Sequence, residues 1–545
     1  MKNSYSISLF FCLVSLFASA QFPTVNWQFS LPAPSFGSAA SADLDKDGFY
    51  EIVFTTYTND GKVHCLNAEN GTERWNYNIG GCGDVAPLIY DVDNDDTLDV
   101  IVNGSCNPTI FCINGFTGQL KWSKPSGGGD SPPTIGDVDG DGLPEVLFCN
   151  FNGQLRIYNA EDGTTNRIIQ MDPNNNPIQT EPTLVDVNND GRQDVIVANY
   201  FNISGLYIWA YDYITNDTLW TNFNPDTSSS FNAYHGGAVA DVDHDGLMEY
   251  VIGSNNGLVR ALNVENGTVL WTDTIPKSNM APVEIADLDH DGDLEVVITN
   301  NDWVTFDERI WVLDGATGNV EWSYATTFSS FRGCAIGDIN GNDTLDLVAG
   351  FFMGDVIAVE PYTGLLWQTN LQSYFSPNVP WMDVDHGPLI ADFDQNGKMD
   401  VFVIAGYGSY TPDSLNAGMA IMFEAGSGHC PEWLMFRQDV QRSGYLSQAD
   451  QDSSCANVLD LSVEEIYSNV MGLYPNPTEG KITISLGSTE DRVKLSVVEM
   501  TGRVVNEEFF TGGAITADYS ALLPGIYLLR AEVNGALFTA KLVRK

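Results

Sequence analysis

The chain has 545 residues, more than one ordinary hydrophobic core accommodates. Its 43% hydrophobic content and 51 glycines suit a folded, turn-rich protein rather than a disordered one. With 72 acidic against 24 basic residues it carries a formal charge of −48, a surface that repels nucleic acid and anionic membrane and so excludes both as expected partners.

In chain order, the first element is MKNSYSISLFFCLVSLFASA: Lys2, an apolar run, then Ala18-Ser-Ala20. This pattern predicts a secretory signal peptide over residues 1–20, cleaved before Gln21. The run is too short to span a membrane well and no later segment approaches one, so a transmembrane anchor is not expected. Beyond Cys12 eight cysteines remain, and an even number in an exported chain permits disulfides. Cys106 and Cys112, flanking the hairpin-like SCNPTIFC, are the expected pair, with Cys430–Cys455 a second candidate.

Residues 21–445 are built on a repeat. Short acidic loops begin at Asp43, Asp91, Asp137, Asp186, Asp241, Asp287, Asp338 and Asp392, at intervals of 46 to 55 residues, a period that signals a repeat architecture. Each unit reads as a short small-residue stretch, the loop, an apolar strand (EVVIT, DVIVA), a strand leading to a turn (VRALNVENG, WVLDGATG) and a final strand that usually holds Trp. The final-strand tryptophans are taken as Trp75, Trp122, Trp220, Trp271, Trp322, Trp367 and Trp433. Four short strands per unit predict an all-β fold, a β-propeller with eight blades favoured and seven possible. Trp27, ahead of the first loop, resembles the last strand of a unit, and its strand is expected to complete the final blade and close the ring.

Loop chemistry follows from calcium's preference for about six to eight oxygen ligands. Positions 1, 3 and 5 of a tight turn can share one ion, glycine at position 6 lets the chain reverse, and the acid at position 9 closes the sphere from the next strand. The candidate ligands are Asp43, Asp45, Asp47 and Glu51; Asp91, Asp93, Asp95 and Asp99; Asp137, Asp139, Asp141 and Glu145. They continue with Asp186, Asn188, Asp190 and Asp194; Asp241, Asp243, Asp245 and Glu249; Asp287, Asp289, Asp291 and Glu295. The last two sets are Asp338, Asn340, Asn342 and Asp346, expected to be the weakest, and Asp392, Asp394, Asn396 and Asp400. A helical calcium hand needs its closing Glu at position 12, where all eight loops carry apolar residues (Phe54, Val102, Phe148, Val197, Ile252, Ile298, Ala349, Val403). The expectation is therefore up to eight structural Ca²⁺ ions at turns between strands.

DVDGDGLPEVLF and its siblings resemble the FG-GAP/VCBS-type repeats of integrin-α-like propellers, and the LDGATGNVEW-type stretches are similar to the repeats of quinoprotein-like propellers. The resemblance implies calcium in the blades and a protein or glycan ligand on one face.

Residues 446–470 read as a linker. Residues 471–545 hold equal numbers of acidic and basic side chains, so the whole net charge lies before them, which marks a separate domain. Alternating runs (KITISL, VKLSVVEM, GIYLLRAEV) predict a small β-sandwich. LYPNPTEG at 473–480, MTGR at 500–503, LPGIY at 523–527 and the closing KLVRK resemble, in order and spacing, the type A C-terminal sorting domain of the Bacteroidetes type IX secretion system. That resemblance implies passage through the periplasm and across the outer membrane, with the secretion machinery as partner and the cell surface or medium as destination.

Two functions compete. One is a calcium-stabilised surface module that binds an extracellular protein or glycan in adhesion or polymer capture, favoured because no GxSxG, HExxH, GxxxxGK[ST] or CxxCH motif is present. The other is an extracellular polysaccharide-degrading enzyme of a lyase-like propeller type, which needs a base and cationic groups converging on one face. Six residues before the loops most units carry small or neutral residues, but three carry His235, Arg332 and His386. With Tyr234 and Trp381 nearby, these are the candidate ligand-binding residues, expected to face the central channel.

Overall fold

The computed structural model describes residues 23–433 apart from 227–231, 277–280, 301–306, 376–378, 380 and 409–414. It also describes 435, 437, 443 and 472–545 apart from 475–477, 479, 486–491, 500–503, 512–513, 521, 523–524 and 534–535. The expected signal peptide, the linker, the MTGR motif and Cys455 lie outside the described residues. The chain divides into two compact units, up to Val458 and from Leu459.

The first unit is a ring of eight antiparallel blades, seven of four strands and one of five. The first blade sets the pattern with Ala40–Ala42 innermost, then Glu51–Thr55, Lys62–Asn67 and Glu73–Asn78 outermost. Every acidic loop joins the innermost strand of a blade to the second. Second strands such as EIVFT are buried along their whole length because neighbouring blades cover both faces. Outer strands alternate, as in ERWNYN, where Trp75 alone is buried. The core therefore lies between blades: Val53 and Cys65 of the first pack with Ile89, Val100 and Val102 of the second.

Tryptophans lock successive blades together. Trp75 donates its indole N–H to Gly115 O of the next blade at 2.6 Å, Trp122 to Ala160 O at 2.9 Å, Trp220 to Val264 O at 2.7 Å and Trp271 to Gly315 O at 2.6 Å. The ring of each covers the turn glycine that follows. A Cβ on Gly118 would lie 2.7 Å from Trp75 Cγ, and its φ of +69° disfavours side chains independently. In the third blade Arg167 takes this position and lies over the Tyr213 ring of the fourth at 3.7 Å.

Closure follows the expectation from Trp27. Thr24–Leu31 pairs with Ala417–Gly426 as the outer strand of the eighth blade, beside Met399–Tyr407 and Leu389–Ala391. Trp27 then donates to Ala68 O of the first blade at 2.7 Å, completing the circle.

Two expectations are corrected. Trp433 does not end a blade: its strand, His429–Trp433, adds to the inner edge of the seventh blade, pairing with Cys334–Asp338. The outer position of the eighth blade was already filled from the N-terminal side, so this segment turns inward. Cys106 pairs with Cys82, 24 residues upstream, and Cys112 is a buried free thiol. Cys112 points into the core from the strand Thr109–Asn114, beyond reach of the loop that carries Cys106.

The second unit holds two antiparallel sheets, one of three strands and one of four. Ile482, Ile484, Val493, Leu495, Val497 and Leu529 fill its core, the sandwich expected from the alternating pattern.

Candidate metal centres and the channel mouth

The eight loops share one backbone design. Position 4 takes positive φ in all of them, whether glycine (Gly140, Gly341) or not (Lys46, Asn94, Asn189, His244, His290, Gln395), and so does position 6. Between the paired left-handed residues, the side chain of position 5 accepts from the N–H of position 7, as in Phe49 to Asp47 and Leu143 to Asp141, both at 2.8 Å. Position 1 accepts from the N–H of position 6 in every loop, from Gly48 to Asp43 at 3.0 Å through Gly397 to Asp392 at 2.9 Å. Position 9 accepts from the N–H of position 2 in every loop, as in Leu44 to Glu51 at 2.8 Å and Phe393 to Asp400 at 3.1 Å. Position 12 lies in the buried second strand in all eight, and no helix follows any loop.

This scaffold brings carboxylates together. Oxygens of Asp43, Asp45 and Glu51 lie within 4.8 Å of one another, as do those of Asp91, Asp93 and Asp99, of Asp137, Asp139 and Glu145, and of Asp241, Asp243 and Glu249. In the sixth loop the converging set is Asp287, Asp289 and Asp291. Several loops can therefore hold a metal ion.

The position-9 acids carry the electrostatic cost. Burial, with neighbouring loop carboxylates adding, pushes Glu51, Glu249 and Glu295 up to about 8. The same causes push Asp99, Glu145, Asp194, Asp346 and Asp400 up to about 7. Glu249 Oε1 and Asp99 Oδ1 are buried without a hydrogen-bond partner. An orphaned, buried carboxylate oxygen facing two further carboxylates is the donor set a hard cation requires.

Side chains outside the loops complete them, and sequence spacing did not find these. Glu360 accepts from Asn340 Nδ2 at 3.4 Å and Asn342 Nδ2 at 3.1 Å, bringing a carboxylate to the loop that had lost two. Glu424 does the same beside Asn396, at 3.5 Å. In the first loop Arg74 pairs with Asp45 and, at 3.3 Å, with Glu51. In the second, Lys121 Nζ sits 2.6 Å from Asp93 and 2.8 Å from Asp99.

The channel-mouth candidates separate into two places. His235, Arg332 and Tyr234 come together in a buried network. His235 Nδ1 lies 2.8 Å from Glu181 Oε1, and Arg332 donates to His235 Nε2 at 3.2 Å, so His235 is neutral with its proton on Nδ1. Arg332 also donates to Asp84 Oδ1 at 3.2 Å and lies over the Tyr234 ring at 5.7 Å. Asp130 accepts from Gln179 Nε2 at 2.7 Å. Burial lowers His235 to about 4 against the pull of Glu181. Burial raises Asp84 and Asp130 and takes Asp385 to about 7. Burial also opposes ionisation of Glu181, but His235 and Arg437 beside it hold it below its usual range.

Arg437 reaches this network from the inward-turned segment, donating to Gly237 O at 2.8 Å and Thr183 Oγ1 at 2.9 Å. The strand His429–Trp433 lies on the seventh blade, and Arg437 beyond it binds the fourth and fifth. Asp84, Asp130, Gln179, Tyr234 and Asp385 all stand seven residues before their loops, one step from the register that singled out His235, Arg332 and His386.

His386 is buried, 5.8 Å from Phe402 between ring centroids. Trp381 stands apart at 43% exposure, donating to Asp383 Oδ2 at 3.0 Å and meeting Tyr407 edge-on at 4.9 Å.

Residues 91–148 and 137–197 match the FG-GAP-like repeat, residues 207–434 match the family described as outer membrane protein assembly factor BamB, and residues 472–545 match the secretion system C-terminal sorting domain. No curated protein sequence matches the chain. Among solved structures, the quinohemoprotein alcohol dehydrogenase of Comamonas testosteroni is 12% identical with a TM-score of 0.51, over 75% of this chain and 77% of that one. The quinohemoprotein alcohol dehydrogenase ADHIIG of Pseudomonas putida HK5 is 13% identical with a TM-score of 0.52, over 76% and 78%. Saccharomyces cerevisiae Sqt1 is 12% identical with a TM-score of 0.50, over 74% and 100%. At this identity the likeness shows the propeller fold alone. The tail marks export by type IX secretion to the cell surface or extracellular space, and among the described residues no helix is long and apolar enough to cross a membrane.

Proposed function

We propose that this exported propeller takes calcium in its acidic loops and captures an extracellular glycan or protein ligand, as an adhesion or polymer-binding module. The observation that carries the calcium reading is the buried acid at position 9, which in four loops converges with positions 1 and 3 and which at Glu249 keeps an oxygen without a hydrogen-bond partner. Asp241, Asp243 and Glu249 would hold an ion in the fifth loop, and the corresponding residues would do so elsewhere. The ion would supply charge neutralisation and pin the turn between the two inner strands of a blade. A signal peptide over residues 1–20 and removal of the sorting tail after export belong to the same reading.

For the ligand, the exposed pair of Trp381 and Tyr407 with Asp383 offers a stacking surface and a hydrogen-bonding carboxylate, the combination that suits a sugar ring. The lyase alternative loses ground because His235 spends both ring nitrogens on Glu181 and Arg332, leaving no free base there. The test is binding of the purified chain to a glycan array and to acidic polysaccharides, with calcium and with chelator, while following ultraviolet absorbance of unsaturated product. Calcium-dependent binding that Trp381→Ala abolishes supports capture. Growing absorbance makes the protein a lyase, and silence in both channels refutes a glycan ligand.

A further inference from the structure

All eight blades carry a β-bulge at the same place. In each, the outer strand inserts one extra residue opposite the third strand, immediately before the tryptophan or its Arg167 equivalent. The bulged residues are Asn26, Arg74, Lys121, Asn166, Leu219, Leu270, Glu321 and Leu366. A bulge re-aims a side chain out of the ladder, and here it aims at the acidic loop. Asn26 donates to Asp400 Oδ1 at 2.9 Å and Asn166 to Asp139 Oδ2 at 3.0 Å. Lys121 reaches Asp93, Asp95 and Asp99 at 2.6, 3.7 and 2.8 Å, and Arg74 reaches Asp45 and Glu51.

We propose that the bulged residue decides how each loop is neutralised, and that Lys121 and Arg74 are tethered cations standing in the place of the ion in the first two loops. This rests on the reading of the other loops as calcium sites. The ammonium of Lys121 contacts three of the four candidate ligands of its loop, the oxygens an ion at 2.3–2.6 Å would need. It is held there by a strand buried against the next blade through Trp122, so its local concentration is fixed and high. The fifth blade is the converse: Leu270 brings no cation to the converging Asp241, Asp243 and Glu249, whereas Lys121 sits on Asp93 and Asp99. In the sixth, Glu321 adds negative charge beside Glu295. Two loops are thus closed internally and the remaining six call for an ion.

Calcium bound per chain, counted by native mass spectrometry on the full chain across a calcium titration, tests this. Wild type is expected to saturate at six ions, Lys121→Leu at seven, and Arg74→Leu with Lys121→Leu at eight. Leu270→Lys, which installs the ammonium in the fifth loop, is expected to lose one ion and keeps the test open if Lys121→Leu fails to fold. Thermal unfolding supplies a second readout: Lys121→Leu should melt earlier than wild type in chelator and recover with calcium. Saturation at eight in wild type, or a count that no bulge substitution changes, overturns the proposal while leaving the calcium sites standing. Absence of calcium from wild type and all variants overturns both readings together.

Discussion

Buried carboxylates occur in two regions of the propeller, and each region neutralises them differently. In the buried network Asp84 and Glu181 meet two cations of the chain itself, Arg332 and Arg437, and the N–H of a neutral His235, all drawn from other blades or from the segment beyond them. In the loops the acids are close in sequence, and most have only backbone N–H groups and one another. A network assembled from distant blades can supply its own counter-charge once the ring closes. A nine-residue turn repeated around a ring has few neighbours from which to draw one; Arg74 and Lys121 supply it to two loops, and the proposed ions would supply it to the others.

The sharpest break between the regions is chelation. An ion held at a hundredfold excess over its Kd contributes about 2.7 kcal/mol, and several are lost together, so Tm should drop by more than about 10 °C. Scanning calorimetry with and without chelator measures this, and the channel network should contribute nothing to the difference. Next, Arg332→Met strips Asp84 and its neighbours of their counter-charge while keeping volume. It should cost about 3–5 kcal/mol in urea unfolding, by the same amount with or without calcium.

Acidification separates the loop acids from His235 by sign. The position-9 acids have native pKa values of about 7 to 8, above their unfolded values, so the native state holds protons that the unfolded chain releases. Calcium-free protein should therefore gain stability as the pH falls from 8 toward 5. His235, at about 4 in the native state, refuses a proton that the unfolded chain accepts below about 6.5, so its contribution is lost as pH falls from 6.5 to 4. With eight loop acids against one histidine, Tm in chelator should rise on acidification, whereas in calcium, where protons compete with the ion, it should fall. Smallest of all, Trp381→Ala should shift stability by no more than about 0.5 kcal/mol, because its ring is exposed, while removing ligand capture.

Local periodicity carried most of the fold. The loops, the buried second strands and the Trp27 strand that closes the ring could each be read because they lie within a dozen residues or repeat at a fixed interval. What escaped detection depends on register across strands. Glu360 and Glu424 reach their loops from a neighbouring strand, and the bulged Lys121 and Arg74 are invisible to an alternating pattern that a bulge interrupts by one residue. Asp84, Asp130 and Asp385 were missed by a single position in the correct register. Cys82–Cys106 and the inward turn that carries Arg437 are pairings over distance, which spacing alone does not determine.

The eighth blade gathers strands from both ends of the propeller, with Thr24 opposite Glu424. Closing so large a loop adds little to the equilibrium, since each doubling of loop length costs only about 0.6 kcal/mol. In time the effect is different. The first strand must wait through the synthesis of seven blades for its partner, so the ring has an open seam until the last moment of folding. An exported chain built this way can seal its seam only after the strands of the eighth blade have been made, just ahead of the tail that marks its exit.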